Sequence, residues 1–319
     1  MAILITGGSG FIGASLAREF SGRGERVVLV DVKPPPPRIS ALPGVSYVRA
    51  DVANLSEILN VFSGTPVSSV FHLAAILSAP SEENPWSSLR VNGLGTFNIL
   101  DAARLSGAGK LLFTSSMGTY SVSSDMAVDD DTAQRPTLIY GVGKVFGELL
   151  GLYYQRKFGL DFRGIRFPQL VGPGVLSGGF GQYGPRLIEA AARSEAFEAW
   201  VPPETTIPML YIKDAVRSLV LLHDAPEERI KTRVYNVGQI TPAPTAQDIV
   251  EEVRRHFPGA RLGFAPDPKA VEVLQTIPKA ISGENARKEW GWTPAYSLAE
   301  MVRDFIEELM SNSAEGSST

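Results

Sequence analysis

The stretch that most constrains this chain is its beginning, AILITGGSGFIG at 2–13, where a five-residue apolar run breaks at four glycines and passes into an amphipathic pattern from Phe11 to about Arg23. An apolar run of that length bounded by glycine predicts a buried strand, and the pattern after it predicts a helix. Gly7, Gly10 and Gly13 at the junction permit a sharp turn, close packing of helix on strand, and an open helix N-terminus whose N–H groups attract anions. Taken alone, the turn is either a phosphate cradle or a tight connection, and the rest of the chain has to decide between them.

The alternation continues. Strands are predicted at 26–31, 46–49, 69–74, 110–115 and 161–167, and helices at 54–62, 86–106 and 138–158. Strands alternating with helices require a parallel sheet covered on both faces. Beyond 168 the pattern is less regular: Gly and Pro punctuate 168–185, a helix follows at 185–195, and strand 209–212, helix 213–224 and strand 233–237 read as a return to the main sheet. A loop and an amphipathic helix from 239 and a last helix at 297–309 close the chain.

The expected fold is therefore α/β: a Rossmann, doubly wound parallel sheet with a smaller C-terminal α/β substrate-binding lid. The expected division is 1–167 plus 206–238 for the nucleotide-binding part and 168–205 plus 239–310 for the lid. The polar 311–319 is expected to be a disordered tail.

Composition narrows the function by exclusion. With no cysteine, the chain has no disulfide, thiolate nucleophile or Cys-ligated metal. His72, His223 and His256 are scattered without ligand spacing, so no metal is expected. A formal net charge of -4 gives no attraction to nucleic acid or to acidic membranes. The first apolar run is too short for a signal or a membrane span, which makes a cytoplasmic address the expectation.

Asp31 ends the second strand, about 20 residues after the glycines. A carboxylate there can accept both hydroxyls of an adenosine ribose and repels a 2′-phosphate, which favours NAD over NADP. Its other reading is a strand-end turn residue, with Lys33 and Arg38 close enough in sequence to attract a phosphate. Asp51, after the third strand, either caps the adenine amino group or caps its own loop.

Tyr140 and Lys144 in YGVGK lie four apart at the start of a predicted helix, hence on one face. A neighbouring ammonium favours the phenolate, lowering a pKa that is otherwise near ~10 and making the tyrosine a usable base for an alcohol proton. Tyr153 and Lys157 repeat the spacing thirteen residues later, on a different face of the same helix, and read as a surface decoy. Ser115 and Ser116 end the strand at 110–115, at the edge where ligands bind in open α/β sheets.

The glycine turn, the acid after strand two, the serines and the Tyr-Lys helix together resemble the extended short-chain dehydrogenase/reductase family, the NAD-dependent epimerases and dehydratases, over nearly the whole chain. HLAA (72–75), NGLGT (92–96) and YIKDAV (211–216) extend the resemblance. It implies Ser116, Tyr140 and Lys144 as the catalytic triad. It also implies a cofactor site of Gly7, Gly10, Phe11, Ile12, Gly13, Asp31, Asp51, Val52, Leu73, Ala74, Ala75, Asn92, Tyr140, Lys144 and Pro168. His72 reads as a packed strand-end residue.

Within the family the chain looks most like the NAD-dependent L-threonine 3-dehydrogenases, on AAILSAPSEENP (74–85), the run 134–168, the run 197–219 and NARKEWGW (285–292). It departs from them where substrate should sit. Their GGGTTDYA is SGGFGQYG (177–184) here and their DSWP is QTIP (275–278), which removes polar partners for an amino-acid head group. The implied activity is NAD-dependent oxidation of a secondary alcohol: L-threonine, a related hydroxy acid or a sugar-derived alcohol. The substrate is a small molecule expected to touch Ser78, Ser116, Tyr140, Gly178, Gly179, Phe180, Gln182 and Ile277. The rival readings are a nucleotide-sugar epimerase and a non-catalytic NAD-binding sensor. Apolar residues in excess on helices 86–106 and 138–158 point to a homodimer, and the family pairs these helices between subunits.

Overall fold

The computed structural model describes residues 1–123, 125–174 and 179–316. In chain order its strands are β1 (Ala2–Thr6), β2 (Val27–Asp31), β3 (Val45–Arg49), β4 (Val67–His72), β5 (Lys110–Ser116), β6 (Ala127–Val128), β7 (Asp161–Phe167), β8 (Gln169–Val171), β9 (Phe197–Ala199), β10 (Met209–Tyr211), β11 (Val234–Asn236), β12 (Leu262–Phe264) and β13 (Ala280–Ile281). Seven of them form one parallel sheet in the order β11-β7-β5-β4-β1-β2-β3. This is the Rossmann type expected from the alternating pattern.

The period of two along each strand divides the core into two layers. Ile3, Ile5, Leu29, Phe71, Leu112 and Ile165 point to one face and pack under the helices Phe11–Gly22 and Ile212–Asp224. Leu4, Val28, Val70, Leu111, Phe113 and Phe162 point to the other, under Leu55–Gly64, Thr96–Ser106 and Ile139–Phe158. Both faces are covered, which is why the strands read as continuous apolar runs.

The structure corrects three expectations. Met209–Tyr211 does not rejoin the main sheet: it pairs with β8 in a separate two-stranded sheet, because the edge of β7 away from β5 is taken by β11. The segment 86–106 is not one α-helix. Pro85–Ser88 gives way to a wide π-helical turn, Leu89–Gly95, before Thr96–Ser106. Inside that turn the Asn92 side chain bonds both backbone groups of Ile76, and the Thr96 hydroxyl donates to the Asn92 carbonyl at 2.7 Å. Groups recruited in this way open the regular ladder. Finally, the closing helix runs Leu298–Gly316, so the polar tail expected from 311 stays helical to Gly316. Ser311 donates to the Glu307 carbonyl one turn back, and no breaker intervenes before the glycine.

Two further short parallel pairs, β9 with β12 and β6 with β13, join stretches far apart in the chain. Among the described residues no helix is long and apolar enough to cross a membrane.

Candidate active site

Strand order reverses between β1 and β4, and at the carboxyl ends of these strands lies a groove of about 950 Å³. Open α/β sheets bind ligands at such a point. Gly7, Gly10, Phe11, Ile12, Gly13, Asp31, Asp51, Val52, Leu73, Ala74, Ala75, Ser78, Ser116, Tyr140, Lys144, Pro168, Gly179 and Gln182 all line it.

One half of the groove is shaped by backbone. Gly7 has φ +66°, and a Cβ there would lie 2.8 Å from the Ala74 nitrogen. The helix beginning at Phe11 has no side-chain cap, leaving its N-terminal N–H groups for an anion. Asp31 is aimed across the turn by the N–H groups of Ser9 and Lys33, each 3.1 Å from one of its oxygens. Asp51 accepts the Ala53 N–H at 2.9 Å, so it caps its own loop while still lining the groove, and Arg90 stands 3.7 Å away. A Gly cradle with no room for a side chain, an uncapped helix and a carboxylate one strand over fit a dinucleotide whose ribose carries no phosphate.

His72 buttresses this half from below. The Thr96 hydroxyl is committed to the Asn92 carbonyl, so its oxygen accepts from His72 Nε2 at 3.0 Å, and Nδ1 accepts from Thr6 at 2.7 Å. Full burial pushes the imidazole pKa down to about 3, with the Lys144 charge adding to the fall. It is a neutral structural link between β1, β4 and the helix that follows.

The other half is built by side chains from three distant segments. Registry between β5 and β7 sets Ser116 beside Phe167, so Pro168 follows next to the serine. Tyr140 and Lys144 occupy the first two turns of Ile139–Phe158. That helix lies close on the sheet because Gly147 and Gly151 sit over the Phe113 and Phe162 rings, where any Cβ would collide. The Lys144 ammonium donates to the Thr114 carbonyl at 2.7 Å and lies 5.6 Å from the centre of the Tyr140 ring.

The electrostatics here reverse an expectation. The Tyr140 phenol is pushed up to about 12 by burial, a hydrogen bond with Ser116 opposing the rise only in part. Lys144 is buried too, which pulls it down to about 8 despite the nearby Glu148 carboxylate. Desolvation disfavours both charged forms, so proximity alone does not make a phenolate.

Sequence reasoning missed the scaffold beneath. Glu148, one turn after Lys144, is buried and takes a two-pronged ion pair from Arg166 of β7, the Ser115 hydroxyl, and the Gln134 amide at 3.0 Å. Arg166 continues to the Tyr120 hydroxyl at 2.9 Å, which in turn bonds Asn236 of β11. The spacing Lys144–Glu148 was the available signal, but its partner lies eighteen residues on, in another strand. Gln169, Met117 and Ile76 also line the groove.

Three expected contacts fall elsewhere, and a fourth is not placed. Asn92 lies behind the groove, holding Ile76. Phe180 turns into the core while its carbonyl accepts from Trp200 Nε1 at 2.8 Å, and Ile277 packs against the cluster of Met117 and Tyr120. Gly178 lies outside the described residues. Tyr153 and Lys157 are exposed at the far end of their helix.

Residues 3–238 match the model of the NAD dependent epimerase/dehydratase family. The chain is 33% identical over 312 residues to the mitochondrial L-threonine 3-dehydrogenase of Bos taurus, covering 95% of this chain and 81% of that one. It is 33% identical over 324 residues to an uncharacterized epimerase/dehydratase of Staphylococcus haemolyticus, with 97% and 99% covered. Among solved structures, the holo form of a GalE-like L-threonine dehydrogenase from Cupriavidus necator superposes with a TM-score of 0.90 at 28% identity, over 97% of this chain and all of the other. The glycine cradle, the strand-end acid and these likenesses agree: the chain belongs to the NAD-dependent epimerase/dehydratase family, the extended short-chain dehydrogenases, and is an NAD-using enzyme.

Proposed function

We propose that the enzyme oxidises a secondary alcohol by a Ser-Tyr-Lys mechanism, with L-threonine, a related hydroxy acid and a sugar-derived alcohol as the candidate substrates. The observation that carries this is the meeting of Ser116, Tyr140 and Lys144 at one end of the groove whose other end holds Asp31. NAD bound along the groove supplies a hydride acceptor and a positive ring charge. Ser116 holds the reacting oxygen, and Tyr140 takes the hydroxyl proton. The base is the ionised form of Tyr140, which becomes a neutral phenol as it takes that proton; the Lys144 ammonium, held by the Thr114 carbonyl, together with the ring charge that bound NAD would add, offsets the phenolate before the transfer. The segments 168–205 and 239–310 act as the substrate lid, a reading supported by the β9–β12 pairing that ties one to the other.

NADH formation on a panel of alcohols, with NAD and separately with NADP, tests the reading. Tyr140→Phe should lower turnover by about 10³-fold while NAD binding persists. Undiminished turnover in that variant removes Tyr140 as the base, and interconversion of a nucleotide sugar without NADH release makes the protein an epimerase.

The same reading includes a homodimer through 86–106 and 138–158. Val142, Phe146, Leu149 and Tyr153 form an exposed apolar stripe at 3- and 4-residue spacing on one helix, and Trp86, Leu89, Leu94 and Phe97 are exposed on its neighbour. Sedimentation equilibrium should give twice the 34.4 kDa chain mass, and Phe146→Arg with Leu149→Arg should give one chain per particle.

A further inference from the structure

Charge is distributed unevenly along the groove. Among the described residues its charged lining is Asp31, Lys33, Asp51, Arg90 and Lys144. Asp31 ends β2, Lys33 and Asp51 follow β2 and β3, and Arg90 pairs with Asp51, so four of the five surround the far end from Tyr140. Lys144 is engaged by the Thr114 carbonyl within the catalytic triad. Beyond the triad the lining includes Ile76, Ser78, Met117, Leu170, Gln169 and Gln182, and among the described residues no further ionisable side chain.

An ionised carboxylate or ammonium brought into such a place exchanges water for apolar walls, two amides and a few hydroxyls with no opposite charge, an unfavourable trade. A neutral ligand meets no such barrier. The two amides differ in a way that matters. Gln169 already donates to the Leu170 carbonyl at 3.1 Å. Gln182 is only 5% exposed, and its Oε1 has no hydrogen-bond partner. A buried acceptor left in this state is costly until something donates to it, and the groove beside it is where a ligand would.

We propose, resting on the alcohol-dehydrogenase reading above, that the substrate is an uncharged polyol or hydroxyketone, and that Gln182 selects it by accepting a hydrogen bond from a second hydroxyl. The reacting carbinol loses its C–H electron pair and hydrogen as hydride to NAD and its O–H proton to the Tyr140 phenolate, which becomes a phenol, leaving a ketone. Gln182 touches only the hydroxyl that does not react. An amide oxygen accepts from a hydroxyl without bringing a charge of its own, so Gln182 reads a neutral partner.

The test compares three probes with the same kind of secondary alcohol: butane-1,3-diol, 3-hydroxybutyrate and L-threonine. The diol should exceed both charged probes in kcat/KM for NADH formation by about 100-fold or more. Gln182→Leu should raise KM for the diol by about tenfold, more than it lowers kcat. Gln182→Glu should shift preference from the diol toward 1-aminopropan-2-ol, a reversal that mere damage to the fold does not produce. Preference of the wild-type enzyme for L-threonine or 3-hydroxybutyrate overturns the proposal. Should none of the probes be oxidised, the dehydrogenase reading fails, and calorimetric titration of the protein–NADH complex decides the charge question separately. Heat from the diol alone upholds an uncharged site; binding of a carboxylate at equal or lower Kd, or of none of the three, overturns it.

Discussion

The two halves of the groove hold their functional groups by opposite means. Around β1 and β2 the positions are set by main chain: a left-handed Gly7, an uncapped helix start, and Asp31 pinned by two N–H groups. Around β5 and β7 they are set by side chains, with Glu148 and Arg166 forming a buried ion pair that ties Ser115 to the helix carrying Tyr140 and Lys144. A main-chain cradle tolerates varied neighbours, because its shape does not depend on their side chains. A buried charged network sacrifices desolvation energy to fix a few side chains against one another.

The sharpest way to break this contrast is to remove the carboxylate beneath the triad. Glu148→Ala strands the Arg166 guanidinium in the core, and should cost ~3–5 kcal/mol in denaturant unfolding. Replacing both partners together, Glu148→Leu with Arg166→Met, should recover much of that stability while turnover stays impaired, because Ser115 and the helix lose their common anchor. Full recovery of turnover would show that the pair only fills space.

Gly7→Ala attacks the main-chain half. The left-handed conformation and the approach to the Ala74 nitrogen together should cost about 3 kcal/mol, expressed mainly as weaker NAD binding in a fluorescence titration. Unaltered NAD affinity would mean that the turn adapts and that the cradle is less rigid than its geometry implies.

The smallest effect is pH-dependent and lies under the cofactor half. His72 is held at about 3 in the fold against an ordinary 6.5, so below 6.5 the unfolded chain binds a proton that the folded chain refuses. Stability from this residue is complete above 6.5 and declines as pH falls toward 3. Between neutral pH and pH 5 the loss should reach about 2 kcal/mol, and His72→Gln should flatten that part of a denaturation-versus-pH curve.

Local sequence was enough for the sheet, the glycine turn, Asp31 and the Tyr-Lys pair, because each rests on a period or spacing within a few residues: apolar runs of strand length, glycine between strand and helix, two side chains one turn apart. It was not enough for the destination of Met209–Tyr211, since a three-residue strand carries no mark of the edge it will join, and β11 had already occupied the edge of β7. Nor did it place Phe180 and Ile277, apolar residues for which core and groove offer the same solvation and only packing chooses. The protonation tendencies of Tyr140 and Lys144 also belong to the tertiary structure. Spacing brought the two together, but their pKa values follow from burial, and burial is a property of everything that packs around them.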